Sequence, residues 1–262
     1  MLEILPLLYK ILIAIFIYMT LFWILSLVRR RTDIVDIAWG LGFILIAVIS
    51  LLHQDPLTDR MILIFFLVLA WGIRLASHIY LRNRDKKEDY RYQQFKKDWG
   101  KFFYIKSYFN IFLLQGLFMI IVSSPILFIS SFPSSPIGTL DIIGTCIWIA
   151  GFLIETYADI QLKNFIELKK AGKTKTRFAN IGLWKYSRHP NYFGEILQWW
   201  GIGIISLSVS YGYISLIGPL FISYLIIFVS GIPLLEKKFE SDSEWEKYVN
   251  RTNKLIPIPK MV

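Results

Sequence analysis

Long apolar runs, each closed by a short polar or basic stretch, dominate the pattern along this chain. Seven of them approach the roughly 20 residues that a helix needs to cross a bilayer core. They cover residues 4–28, 34–52, 61–81, 108–129, 140–162, 191–209 and 211–233. The expected fold is therefore all-α, a polytopic membrane protein with about seven transmembrane helices. The first run is too long for a secretory signal and lacks a small-residue cleavage site, so it is expected to be a span as well. No internal repeat, low-complexity tract or linker interrupts the pattern, and a single domain over residues 1–262 is expected.

The polar stretches alternate in charge, and this orients the chain. Arg29, Arg30 and Arg31 follow the first run, nine Lys or Arg lie in 82–106, eight in 163–188 and six after Pro233. The opposite connections, 53–60, 130–138 and the one near Ser210, hold a single basic residue between them. Cytoplasmic loops carry the excess of Lys and Arg. This places the basic loops and the C-terminus in the cytoplasm and the N-terminus outside.

With 55% hydrophobic residues, the net charge of +10 describes loop topology rather than a nucleic-acid partner. The one cysteine, Cys146, sits in an apolar run, and the three histidines have no metal-ligand spacing. Neither a disulfide nor a metal site is expected. Gly201-Ile-Gly203 lies within a span rather than between a strand and a helix, which excludes a dinucleotide-binding βαβ unit.

Chemistry is expected where ionisable residues enter membrane depth, because each costs about 2.5–3.5 kcal/mol to insert. Asp33 and Asp36 open the second span. Asp33 is placed to cap that helix, whereas Asp36 shares a stripe with Trp39 and Gly40. In the third span Trp71, Arg74 and His78 share a stripe. Arg74 needs an anionic partner, either Asp36 or a ligand group. Glu155, Asp159 and Lys163 follow one face of the fifth span. Between the third and fourth spans, a long loop carries Asn83, Asp89, Tyr90, Arg91 and Tyr92, where two phenols flank a guanidinium and could stack an aromatic base. The basic run from Lys169 to Arg177 suits a pyrophosphate or a ribose phosphate.

The densest cluster is Tyr186-Ser187-Arg188-His189-Pro190-Asn191-Tyr192, followed by Glu195. Pro190 suits the first turn of a helix. From there Asn191, Tyr192 and Glu195 gather at one helix mouth. Ser187-Arg-His-Pro-Asn-Tyr-x-Gly194-Glu195 resembles the hallmark of a superfamily of membrane enzymes that contains steroid 5-alpha-reductases, sterol reductases, and isoprenylcysteine and phospholipid methyltransferases. Asp36-Ile-Ala-Trp39-Gly40, Trp71-Gly-Ile-Arg74-Leu-x-x-His78 and Glu88-Asp89-Tyr90-Arg91-Tyr92 narrow the resemblance to the bacterial branch of steroid 5-alpha-reductase-like proteins. The tail, Pro233-Leu-Leu-Glu236-Lys237-Lys238-Phe239 with Tyr248 and Ile256-Pro257, is similarly shared. The steroid-binding Gln-Glu pair of the animal enzymes is not present, and Asp36 and Trp39 occupy that region.

The resemblance implies an NADPH-dependent reduction of a C=C bond conjugated to a ketone, in an apolar substrate such as a 3-oxo-Δ4 steroid. It implies an integral protein of a bacterial inner membrane, with the cofactor on the cytoplasmic side and lipid around it. By motif, Asn83, Asp159, Arg177, Tyr186, Arg188, Asn191 and Glu195 match cofactor-contacting positions. Asp89, Tyr90, Arg91, Lys163, Ser187, His189 and Tyr192 join them from the clusters above. Trp39, Trp71 and Arg74 are expected at the substrate. Asp36, in its protonated form, and His78 are expected to donate to the carbonyl oxygen. The alternative is an S-adenosylmethionine-dependent methyltransferase acting on a lipid or prenylated substrate.

Overall fold

In a computed structural model that describes residues 2–132 and 136–260, the chain is predominantly helical. The protein is an all-α polytopic membrane protein, with six helical segments among the described residues long and apolar enough to cross a membrane: Leu5–Arg29, Ile34–His53, Asp59–Asn83, Tyr90–Val122, Thr139–Lys170 and Gly212–Glu236. The sixth expected span, 191–209, is α9, Pro190–Ser206, whose 17 residues stand at the lower bound for crossing. The described residues form two compact units, one of 2–132 and 136–138 with 206–218 and the other of 139–205 with 219–260.

In the first unit, α1 (Leu5–Arg29) shows how sequence spacing selects a buried face. Leu7, Ile11, Ile15 and Met19 recur every four residues and are buried, while Tyr9, Phe16 and Leu21 are exposed. That outer face is what a lipid-facing helix presents. Helix α2 (Ile34–His53) packs along α3 (Asp59–Asn83), which Thr58 caps by accepting from the Met61 N–H. The contact is backbone to backbone. A Cβ added at Gly40 would lie 2.8 Å from the Gly72 carbonyl oxygen, and one at Gly72 would lie 2.7 Å from that of Gly40. Small residues allow this approach, which supplies the packing that apolar burial cannot supply between helices in lipid.

The fourth span departs from the sequence expectation at both ends. Its N-terminal part is a polar helix, α4 (Tyr90–Trp99), which leads through α5 (Phe103–Ser107) and a π-helical turn at Tyr108–Leu113 into α6 (Leu114–Val122). It ends at Val122 rather than at residue 129, and α7 (Ser124–Ser131) starts anew with Pro125 in its first turn. Pro125 has no N–H to give, and its ring would clash with the carbonyl four residues earlier. Continuing the same helix would therefore cost roughly 3 kcal/mol.

In the second unit, α8 (Thr139–Lys170) is 32 residues long. At 1.5 Å per residue it runs about 48 Å, beyond the roughly 30 Å of a hydrocarbon core. Its last turns carry Lys169 and Lys170. It meets α9 at two crossings of small residues, Gly144 with Gly201 and Gly151 with Gly194. The chain continues through α10 (Ile217–Tyr224), a second π turn at Leu225–Val229, α11 (Ile232–Glu236) and α12 (Ser243–Arg251).

Candidate functional site

Polar side chains gather in two places, one in each unit. In the first unit they join the N-terminus of α2 to the N-terminus of α4. Asp89 caps α4 by accepting from the Arg91 N–H at 2.9 Å, and its carboxylate also takes the Arg91 guanidinium at 3.1 Å. Burial would raise the Asp89 carboxyl, but Arg91 outweighs it by hydrogen bond and charge and holds it below the ordinary carboxylate value. Arg91 extends to Asp36 Oδ2 at 3.0 Å, and Tyr92 donates its hydroxyl to Asp36 Oδ1 at 2.6 Å. Asp36 therefore acts as an acceptor at both oxygens.

Beside this cluster, Asp33 takes two N–H bonds from Arg31, at 3.0 and 2.7 Å, and the Asp89 N–H at 3.3 Å. Asp33 stands at the N-cap position of α2, yet its side chain makes no capping bond. The two arginine donors and the Asp89 amide engage it instead. Arg31 also donates to the carbonyls of Asn83 and Lys86, and Glu88 accepts from the Thr32 N–H and from Lys96. The turn before α2 is thus tied to the connection before α4 by charge-assisted hydrogen bonds, the stronger class.

This corrects two expectations. Tyr90, Arg91 and Tyr92 open a helix rather than lie in a loop. Tyr92 is 4% exposed, so its ring is not available to stack a base, and Arg91 is committed to Asp36 and Asp89. Tyr90 is exposed. The Asp36 carboxylate is also taken by Arg91 and Tyr92, where the stripes of the second and third spans suggested Arg74. Trp71 is buried edge-on to Phe43, at 5.4 Å, and Phe43 is edge-on to Trp39, at 5.1 Å. These rings form a continuous aromatic row. Arg74 and His78 are half-buried on α3, and Asn83 closes that helix with its side-chain oxygen accepting from Arg82.

In the second unit the site is built around the loop that enters α9, which starts at Pro190 as its missing N–H favours. The C-terminal tail pins this loop. Arg188 N–H donates to the Asn253 carbonyl at 2.9 Å, Asn253 N–H donates to Tyr186 at 3.2 Å, and Ser187 Oγ donates to the Leu255 carbonyl at 2.6 Å. Tyr248 donates its hydroxyl to the Trp184 carbonyl at 2.7 Å. Glu236 is the hub of the side chains. It accepts from Arg188 Nε at 2.9 Å and lies 2.8 Å from His189 Nε2, while Arg188 Nη1 reaches the Thr252 carbonyl at 2.8 Å. His189 stacks on Tyr192 with centroids 5.7 Å apart, and burial holds its imidazole below its ordinary pKa despite Glu236.

Two amide–carboxylate rungs join α8 to α9. Asn191 donates to Asp159 at 3.3 Å, and Gln198 donates to Glu155 at 2.7 Å. Glu195 is buried on the same helix. Spacings of four on α8 and seven on α9 stack the rungs along the two axes. Lys163, one turn beyond Asp159, is instead exposed and lies 3.9 Å from Glu167, because α8 has by then outrun its apolar stretch. Arg177 is also exposed and pairs with Asp242 at 2.7 Å.

The structure thus brings together Asp159 with Asn191, Arg188 and His189 with Glu236, and Tyr192 with His189, while Ser187 bonds the Leu255 carbonyl and the His189 backbone. Arg188 is 8% exposed and occupied by its partners. Glu236 is the side chain that sequence reasoning placed in the shared tail but at no site, and Tyr92 is the one expected to stack a base that instead bonds Asp36. Glu236 had one signal, as the single acid between Pro233 and Phe239 in an apolar and basic stretch. Tyr92 had only its position beside Arg91.

Comparison with known proteins adds the ancestry. Residues 22–252 match the family model described as a protein of unknown function, DUF1295. The chain is 37% identical over 90 residues to 3-oxo-5-alpha-steroid 4-dehydrogenase 1 of Macaca fascicularis, covering 34% of this chain and 30% of that protein. It is 34% identical over 71 residues to the steroid 5-alpha-reductase DET2 of Gossypium hirsutum, covering 27% and 26%. It is 26% identical over 207 residues to an uncharacterised protein of Schizosaccharomyces pombe, covering 70% and 60%. The chain spans about a third of the length of the steroid reductases it matches. No solved structure matches it.

Proposed function

The chain belongs to the DUF1295 family, within the steroid 5-alpha-reductase-like superfamily, and on that premise we propose that it reduces the C=C bond of an enone in an apolar substrate with NADPH. The 4,5 double bond of a 3-oxo-Δ4 steroid is the preferred target. What carries the proposal is that its relatives of animal and plant origin are named 3-oxo-5-alpha-steroid 4-dehydrogenases and steroid 5-alpha-reductase. The protein sits in a bacterial inner membrane with its basic loops and cofactor on the cytoplasmic side. The surplus of Lys and Arg in those loops supports that orientation.

The second unit suits a polyanionic dinucleotide. Lys169, Lys170, Lys173, Lys175, Arg177 and Lys185 are exposed and supply mobile cations. Asn191, Asp159, His189, Tyr192 and Glu195 supply the directional acceptors and donors that ribose and carboxamide groups need. Bound NADPH would supply the hydride. The chain's own task is to hold the ligand, exclude water and neutralise charge developing on the carbonyl oxygen.

In the first unit Asp36 accepts from both Tyr92 and Arg91, so its role is to hold those two side chains. His78 is then the donor assigned to the substrate carbonyl, and the row Trp39, Phe43 and Trp71 provides the apolar wall. The test is an assay of purified protein with NADPH against 3-oxo-Δ4 steroids and shorter enones. Loss of absorbance at the reduced nicotinamide band with formation of the saturated ketone is expected. Turnover of S-adenosylmethionine with a methylated lipid product, in place of NADPH consumption, would overturn the proposal.

A further inference from the structure

The tautomer of His189 can be read from its surroundings. Glu236 Oε1 also accepts from Arg188 Nε, and an ionised carboxylate has only acceptor capacity. The His189 nitrogen at 2.8 Å from it must therefore be the protonated one, Nε2. In the neutral ring the lone pair then belongs to Nδ1, and among the described residues no donor reaches that atom. The ring cannot readily turn to offer another face. Tyr192 lies parallel to it within 18°, with ring centroids 5.7 Å apart. Glu236 cannot readily swing either, because Arg188 grips it and is itself anchored on the Thr252 carbonyl.

Resting on the cofactor proposal above, we propose that Glu236 is a positioning residue for the cofactor. By accepting the Nε2–H hydrogen bond it presents His189 Nδ1 as an acceptor to an O–H or N–H donor of the bound dinucleotide. The charged and titratable groups around the imidazole are Glu236, which favours its protonation, Arg188 and Lys254, which oppose it, and the stacked Tyr192. Burial also favours the neutral ring. An acceptor with a fixed direction discriminates among ligand donors, which the exposed lysines of the basic loop, as point charges on flexible stems, do not.

The test is nitrogen NMR of histidine-labelled protein, with H189N assigning the His189 signal among three histidines, combined with NADPH titration. Wild type is expected to show the Nε2–H tautomer at neutral pH. E236Q removes the carboxylate charge, so the His189 pKa falls further, and the NADPH dissociation constant rises up to about tenfold for one misaligned hydrogen bond. An Nδ1–H tautomer in wild type overturns the inference without any variant having to fold. So does an E236Q protein in which the His189 pKa and the NADPH affinity both stay at the wild-type values. A wild-type protein with the expected tautomer and no NADPH binding overturns the cofactor proposal, and with it the ligand assigned to Nδ1, while leaving the Glu236–His189 pairing intact.

Discussion

Tyr92 donates its hydroxyl to Asp36 at 2.6 Å across 56 residues of sequence, and the same carboxylate accepts from Arg91 at 3.0 Å. A hydrogen bond to a charged group contributes about 1.5–3 kcal/mol. Tyr92→Phe keeps the ring and removes the donor, so it is expected to destabilise the protein by roughly that amount, read as a lower unfolding midpoint in detergent. Asp36→Asn should cost at least as much, because Arg91 then keeps Asp89 as its charged partner but loses the second carboxylate. A Tyr92→Phe protein with an unchanged midpoint would show that the contact contributes nothing.

The enone assay separates positioning from carbonyl donation. His78→Gln is expected to lower the turnover number of protein that still folds, as its unfolding midpoint checks. Asp36→Asn should lower stability and turnover together. If His78→Gln turns over at the wild-type rate, the carbonyl donor lies elsewhere.

Two arginines near the basic loop should behave in opposite ways. Arg177 pairs with Asp242 at an exposed site, where an ion pair is worth about 0–1 kcal/mol. Arg177→Ala should raise the apparent NADPH constant, steepen nothing in thermal unfolding, and reduce the salt dependence of binding. Arg188 is buried against Glu236, and breaking such a pair from one side costs about 3–5 kcal/mol. Arg188→Ala should therefore lose the folded state before cofactor affinity can be read, and thermal unfolding without ligand checks this.

Acidification should destabilise the second unit through His189. Its folded-state pKa lies below the ordinary 6.5, so the unfolded chain takes up the proton first as pH falls. Stability is then full above about 6.5 and is lost as pH drops from there through the folded value. In the first unit Asp89, also held low, produces a separate loss below its ordinary 3.8. His189→Gln should flatten the first of these losses in a series of unfolding midpoints between pH 7 and 5. An unchanged slope would mean that His189 does not titrate in that window.

The crossing of α8 and α9 depends on missing side chains. A Cβ at Gly194 would lie 2.5 Å from the Gly151 carbonyl oxygen, a backbone atom that cannot turn aside. Gly194→Val should force the helices apart and cost about 1–3 kcal/mol, the usual price of overpacking. It should also stretch the Asn191–Asp159 and Gln198–Glu155 rungs, so NADPH affinity should fall with stability. An unaltered midpoint would show that the helices separate without loss.

Much of the molecule was present in the sequence. Membrane helices follow from the length of apolar runs, because a backbone in lipid must satisfy its own hydrogen bonds and a helix does so locally. The start of α9 at Pro190 and the Asn191–Glu195 face followed from equally local rules. The break after Val122 was also legible in Pro125, although the apolar run continues through it. What periodicity could not supply was the partner of each charge. Asp36 was on a stripe that pointed towards Arg74, and Tyr92 was in what reads as a polar loop. Only folding shows that α4 brings Tyr92 and Arg91 back to Asp36. Likewise, the superfamily motif exposed Arg188 and His189 as a cluster, but not that both meet Glu236, 47 residues beyond His189. Hydrophobicity is a property of each residue and its near neighbours, and the chain carries it in order. A buried charge is defined by whatever meets it in space, and that is decided by tertiary structure alone.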